Sequence, residues 1–232
     1  SPMPASSGTS GSTAEFVMRC RGCGGKAGAA VLTTVFERLT EEHPERRHTA
    51  IGSPEDAARI APATGQADLI TIDFFQAFHD DPWLVGRVAA LNSLSDIWAT
   101  GGRPFGALAM IQIPEGHRRQ QTELLYQLLA GALHEFDLCD VELMGGHTTE
   151  SAELTAGFTV LGSLDDQSPL PKAGARPGDV LVLTKPLGTG ILLAGLPRGI
   201  THAEWMSPLL ESMLKSNAAP ARCQTEKIAR AK

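Results

Sequence analysis

The chain has 232 residues, of which 42% are hydrophobic and 20% charged, a balance suited to a globular fold. Its 26 acidic against 20 basic residues, a net charge of -6, argue against a nucleic-acid partner, because such faces concentrate positive charge to displace counterions. No apolar run approaches the roughly 18 residues of a membrane span and no charged-then-apolar leader opens the sequence, so the expectation is a cytoplasmic protein, off the membrane, with reduced thiols at Cys20, Cys23, Cys139 and Cys223.

Residues 1–15, SPMPASSGTSGSTAE, hold almost no large apolar side chain and read as a flexible linker or appended segment. A Gly-rich loop follows at Arg19 to Gly28. The spacing of Val31, Leu32, Val35, Phe36 and Leu39 then predicts a helix from Ala29 to Leu39. Glu41 to Pro62 is charged and interrupted by proline, hence loop. Ala67 to Phe75 (ADLITIDFF) predicts a buried strand with the Asp73 carboxylate emerging at its end. Asp81-Pro82 opens a helix running through Trp98 and broken by Gly101-Gly102. Pro104 to Ile113 reads as strand, Arg118 to Phe136 as helix, and Cys139 to Met144 and Glu153 to Leu164 as strands joined by a turn at Gly145 to Ser151. Beyond these lie a turn at Ala175 to Asp179, a strand at Val180 to Thr184, a short helix at Gly188 to Leu196 and a helical stretch at Trp205 to Leu214. The tail from Ser216 loses apolar periodicity. Alternating strands and helices predict the α/β or α+β class.

Several segments could carry chemistry. Cys23-Gly24-Gly25-Lys26 places a thiol three residues before an ammonium on a backbone that glycine lets bend, and a nearby cation favours the reactive thiolate. Cys20 and Cys23 also form a C-x-x-C, which admits a zinc or redox reading, although no second pair completes a zinc site. Asp56, Asp73 and Asp96 are hard oxygen donors of the kind magnesium combines with waters and phosphate oxygens; capping or solvated charge is the alternative for Asp56 and Asp96. Asp73 is harder to dismiss, because an acid inside LITIDFF is costly unless paired, solvated or bound to metal. Gly145, Gly146, His147 and Thr148, followed by Thr149 and Glu150, offer amides and hydroxyls that suit either a phosphate cradle or a plain turn. Lys185-Pro186-Leu187-Gly188-Thr189-Gly190 sets a lysine ahead of a Gly-containing turn, which is compatible with an anion but is not a P-loop.

In this order the segments resemble selenophosphate synthetase (selenide, water dikinase), of the aminoimidazole ribonucleotide synthetase-like superfamily. The resemblance is carried by MRCRGCGGK (Met18 to Lys26), by EDAA, TIDFF and NSLSDIWATGG around the three aspartates at intervals of 17 and 23 residues, by LMGGHTTE (Leu143 to Glu150), and by VLTKPLGTGIL (Val180 to Leu192). It covers roughly Phe16 to Asn217, and TKPLG with the C-G-x-K loop is its specific part.

The resemblance implies a PurM/AIR-synthase-like α/β fold whose mixed sheet joins a second subunit in a dimer-spanning barrel. It implies residues 16–200 as the ATP-binding amino-terminal domain and 201–232 as the start of a second domain. It further implies ATP and selenide as substrates, Mg2+ as cofactor, Cys23 and Lys26 as catalytic residues, and Asp56, Asp73 and Asp96 as metal ligands. Lys26, Asp73, Asp96, Gly145, Gly146, His147 and Thr148 would hold nucleotide. Products would be selenophosphate, AMP and phosphate. Another ATP-using kinase of the superfamily, or a nucleotide-binding dimerisation module without turnover, stays open. Met-Arg-Cys before the loop is similar to the variant in which the synthetase follows a flavoprotein-like domain. Gly25 stands where many members have a second cysteine, and no D-V-T-G-F-G-like segment supplies the additional aspartate of the family's carboxy-terminal domain.

Overall fold

The computed structural model describes residues 58–60, 68–164 and 169–221. Cys23, Lys26, Asp56 and the helix expected from Ala29 to Leu39 lie outside the described residues. Five strands, β1 (Ala58–Ile60), β2 (Asp68–Gln76), β3 (Arg103–Pro114), β4 (Glu142–Ser151) and β5 (Thr155–Ser163), form one sheet in the order β1-β2-β5-β3-β4. β3 and β4 pair in parallel and the remaining neighbours are antiparallel, so the sheet is mixed. Helix α1 (Pro82–Ala99) connects β2 to β3, and α2 (Arg118–Leu138) makes the crossover between the parallel strands β3 and β4.

α1 begins where the sequence signals it. The Asp81 carboxylate accepts from the backbone N–H of Trp83 at 2.9 Å and of Leu84 at 3.3 Å, and Pro82 enters at a position that needs no amide donor. The helix ends at Thr100, and Gly101 follows with φ 83°. α1 is buried along most of its surface because it is sandwiched: Leu94 and Ile97 meet the sheet while α2 packs across the other side. The close crossing needs glycine. A Cβ on Gly86 would run into the Leu128 carbonyl, and one on Gly131 into that of Trp83. Phe136 of α2 reaches between them to meet Phe158 of β5 edge to face, with ring centroids 5.0 Å apart.

The opposite face of the sheet is bare among the described residues. Ile72, Phe74, Leu108 and Met144 all stand more than 40% exposed there. Alternation along β2 accounts for the division: Leu69, Thr71, Asp73 and Phe75 face the helices, and Ile72 and Phe74 face away.

Three expectations are corrected. Gly145 to Glu150 is not a turn but the body of β4, in register with Leu108 to Ile113 of β3. The link from β4 to β5 falls later, at Ala152 to Leu154, and a separate turn ends α2, where Cys139 caps the helix and Asp140 takes φ 57°. Asp73 is not at a strand end, since β2 continues to Gln76. Val180 to Leu183 forms no strand and is 65–91% exposed; the residues are apolar, but no neighbouring strand is present among the described residues to complete a ladder. The turn at Ala175 to Asp179 does form, with the Arg176 N–H donating to the Asp179 carboxylate at 2.7 Å. After it come α3 (Thr189–Gly195), single 3-10 turns at Leu196–Arg198 and Ala203–Trp205, and α4 (Met206–Met213).

Candidate functional site

The groove between β2 and α1 gathers the two predicted acids that the structure describes. Asp73 points from the strand towards the helix and is 8% exposed. Asn92 Nδ2 donates to Asp73 Oδ2 at 2.6 Å, and the Ser93 hydroxyl donates to the Asp73 carbonyl at 3.3 Å. Two residues earlier on the strand and four later on the helix, the Thr71 hydroxyl donates to Asp96 Oδ2 at 2.7 Å. Strand and helix therefore run in opposite directions, and the pairs match in length: two strand residues and four helical residues each advance about 6 Å. Asp73 and Asp96 occupy successive rungs of one ladder. The Thr100 hydroxyl closes the helix end by donating to the Asp96 carbonyl at 2.8 Å.

Two carboxylates with an amide and a hydroxyl beside them form an oxygen-rich set compatible with magnesium, which takes one or two carboxylates together with phosphate oxygens and water. Among the described residues there is no group of three or more His, Cys, Asp or Glu that could hold a metal by itself. Asp56, the third predicted ligand, lies outside those residues.

Gly145, Gly146, His147 and Thr148 sit at the far edge of the sheet, on β4. Gly146 has a packing reason of its own: at φ 156°, a Cβ there would collide with the backbone of Ala109 on β3. In register, Gly146 and Ala109 pair, Ala109 and Phe158 pair, and Phe158 and Asp73 pair, so the Gly146 and Asp73 rows coincide across the sheet. His147 is in register with Met110 and is exposed.

The helix face carrying Asn92 continues through Ser95 into a cavity of about 340 Å³. Phe75, Phe78 and Leu91 make its apolar wall, and Lys185, Met213 and Lys215 close it from the carboxy-terminal side. Asn217 pins that side to α1, with Nδ2 donating to Ser95 Oγ at 2.5 Å. Lys185 Nζ donates to the Lys215 carbonyl at 2.7 Å. Burial, and then the neighbouring Lys215 charge, hold the Lys185 ammonium below the usual lysine value of 10.5.

Thr71 and Asn92, which orient the acids, escaped the sequence reading. Asn92 lies four residues before Asp96 and hence on the same helical face, a signal that was there to be used.

A family profile described as AIR synthase related protein, N-terminal domain, matches residues 54–164. These residues take in β2, α1, β3, α2, β4 and β5, hence both acids of the ladder. Over a longer stretch the chain is 36% identical across 200 residues to the selenide, water dikinase of Myxococcus xanthus, covering 86% of this chain and 56% of that protein. With the selenide, water dikinase of Carboxydothermus hydrogenoformans it shares 32% identity across 210 residues, covering 90% of this chain and 60% of the relative. The chain thus spans about half the length of the curated relatives it matches. A solved thiamine monophosphate kinase from Aquifex aeolicus shares this fold at TM-score 0.64 and 18% identity, covering 82% of this chain and 63% of the kinase. At that identity the likeness speaks of the fold. No described helix is long and apolar enough to cross a membrane.

Proposed function

We propose that this chain provides the ATP-binding amino-terminal part of a selenide, water dikinase, which converts ATP, selenide and water into selenophosphate, AMP and phosphate. The observation that carries the reading is the extent of similarity: the match to selenide, water dikinases runs over 200 residues, well past the shared domain at 54–164. That longer stretch takes in segments outside the profile match at 54–164.

The groove supports the reading chemically. Asp73 and Asp96 would hold magnesium, with Asp56 as a third ligand, and Asn92 and Thr71 would keep the two carboxylates oriented. When bound, magnesium supplies positive charge that lets the acidic groove accept a triphosphate. Gly145, Gly146, His147 and Thr148 would line the nucleotide's far side. Cys23 would handle selenium, and Lys26 would neutralise charge on the phosphoryl groups in flight. The bare apolar face with Ile72, Phe74, Leu108 and Met144 fits a homodimer in which two sheets close on each other.

Phosphorus NMR of the protein with ATP, magnesium and selenide tests the activity: AMP with phosphate supports it, whereas ADP as sole nucleotide product favours another kinase chemistry. A second reading, nucleotide binding and dimerisation without turnover, draws on the chain's spanning only about half of its relatives. Magnesium-dependent ATP binding in a calorimeter with no AMP release would favour it.

A further inference from the structure

The cavity beside α1 carries a charge pattern that the two-aspartate groove does not use. Its described lining includes two lysines, Lys185 and Lys215, and no carboxylate. Lysine heads are ordinarily left in water or set against an acid, because removing an ammonium from solvent is unfavourable. Lys185 is instead half-buried, with its ammonium on a backbone carbonyl at 2.7 Å and a second lysine near it. A carbonyl satisfies one of the ammonium's three donors and none of its charge.

The remaining lining polar groups are neutral: Asn92, Ser95, Thr189, Ser212 and Asn217. The walls are apolar and partly aromatic, with Phe75 and Phe78 ring centroids 5.9 Å apart. At about 340 Å³ the cavity lies within the range of small-molecule sites, ~300–1,000 Å³. An anion entering here would relieve both lysines at once, and an apolar body attached to it would find the aromatic wall.

We propose that this cavity binds a phosphate-bearing small molecule, with Lys185 as its principal charge partner and Lys215 as the secondary one. The inference rests on the nucleotide reading of the neighbouring groove, which it borders through Asn92. It adds a contact that needs no metal: Lys185 receives phosphate directly, whether from nucleotide or from free phosphate. Lys185 belongs to the TKPLG segment, so the proposal gives that segment a task beyond a turn.

The test is magnesium-free calorimetry with inorganic phosphate and with AMP on wild type, Lys185→Met, Lys185→Arg and Lys215→Met, with melting curves alongside. Wild type is expected to bind at least one probe at millimolar concentration, Lys185→Met to weaken it tenfold or more, and Lys215→Met to weaken it less. Lys185→Arg should retain binding. AMP bound more tightly than inorganic phosphate assigns the apolar wall to the nucleoside; equal affinity assigns the site to the phosphate alone, and both support the proposal.

Binding by folded Lys185→Met equal to wild type, or no binding of either probe by wild type, overturns it. Should Lys185→Met fail to fold, undiminished binding by Lys215→Met, whose side chain is exposed, overturns it in the same way. AMP release from ATP and selenide, measured on the same wild-type sample, separates the two claims. Turnover without magnesium-free binding overturns this inference alone, and Lys185-dependent binding without turnover overturns the dikinase reading alone.

Discussion

Asn92 on α1 donates its side-chain amide to Asp73 on β2 at 2.6 Å, across the seam between helix and sheet. The bond holds a carboxylate that is 8% exposed, and an acid so placed needs donors to remain in the fold. Asn92→Ala removes one of those donors. Stability is expected to fall by about 1–3 kcal/mol in chemical denaturation, and magnesium-dependent ATP affinity on the order of 10–100-fold, as for an outer partner of a metal ligand.

Asp96→Asn is close to isosteric and keeps an oxygen to accept from Thr71, so its effect should separate from folding. Denaturation should shift by no more than ~0.5 kcal/mol, the range of substitutions that leave packing intact. Calorimetry with ATP and magnesium should show binding lost or weakened beyond the Asn92→Ala effect. Unchanged binding would remove Asp96 from the proposed metal set.

Lys185 makes a pH-dependent contribution whose sign follows from its lowered pKa. Between the lowered folded value and 10.5, the unfolded chain binds more protons than the folded one, so stability rises with pH through that window. Lys185→Met lacks this gain. Melting temperatures of wild type and variant, followed from neutral pH to about the lysine range, ~10.4, should diverge in favour of wild type as pH increases.

Gly146→Ala tests whether the β4 glycine serves packing. The added methyl meets the Ala109 backbone at a φ of 156°, which alanine rarely adopts. Destabilisation of about 1–3 kcal/mol is expected from overpacking, with hydrogen exchange accelerated along β3 and β4. Normal stability together with lost ATP affinity would instead assign Gly146 a purely ligand-facing role.

Phe74 lies on the uncovered face at 54% exposure, in register with Gly157. Phe74→Lys should leave the helix-covered core unaltered and convert a dimer to a monomer in sedimentation, because a charge there would be desolvated without a partner. A wild-type monomer at micromolar concentration would contradict the proposed pairing of sheets.

Local signals proved legible and non-local ones did not. The Asp81-Pro82 start of α1 and the Gly101-Gly102 stop both operate within one turn of chain, and α1 begins and ends within two residues of expectation. The α/β class followed from the alternation of strands and helices, whereas the mixed sheet was an implication of the family resemblance. Gly145 to Glu150 was misread because its strand character comes from pairing with β3, some forty residues away in sequence, which tolerates glycine where the two backbones nearly touch. Val180 to Leu183 failed in the opposite direction: its apolar β-branched and leucine residues have strand composition, yet composition supplies no partner. Of the site, Asp73 and Asp96 were visible as acids in unusual settings. Their common groove was not, because it depends on the antiparallel run of α1 over β2 that sets Thr71 against Asp96 and Asp73 against Asn92.

The most direct test of the proposed activity is the fate of ATP's phosphates when this protein is given ATP, magnesium and selenide under anaerobic conditions. Phosphorus NMR should show selenophosphate, AMP and inorganic phosphate appearing together, and none of them in the Asp96→Asn variant. ADP appearing instead of AMP, or ATP left intact by the wild-type protein, would contradict the assignment.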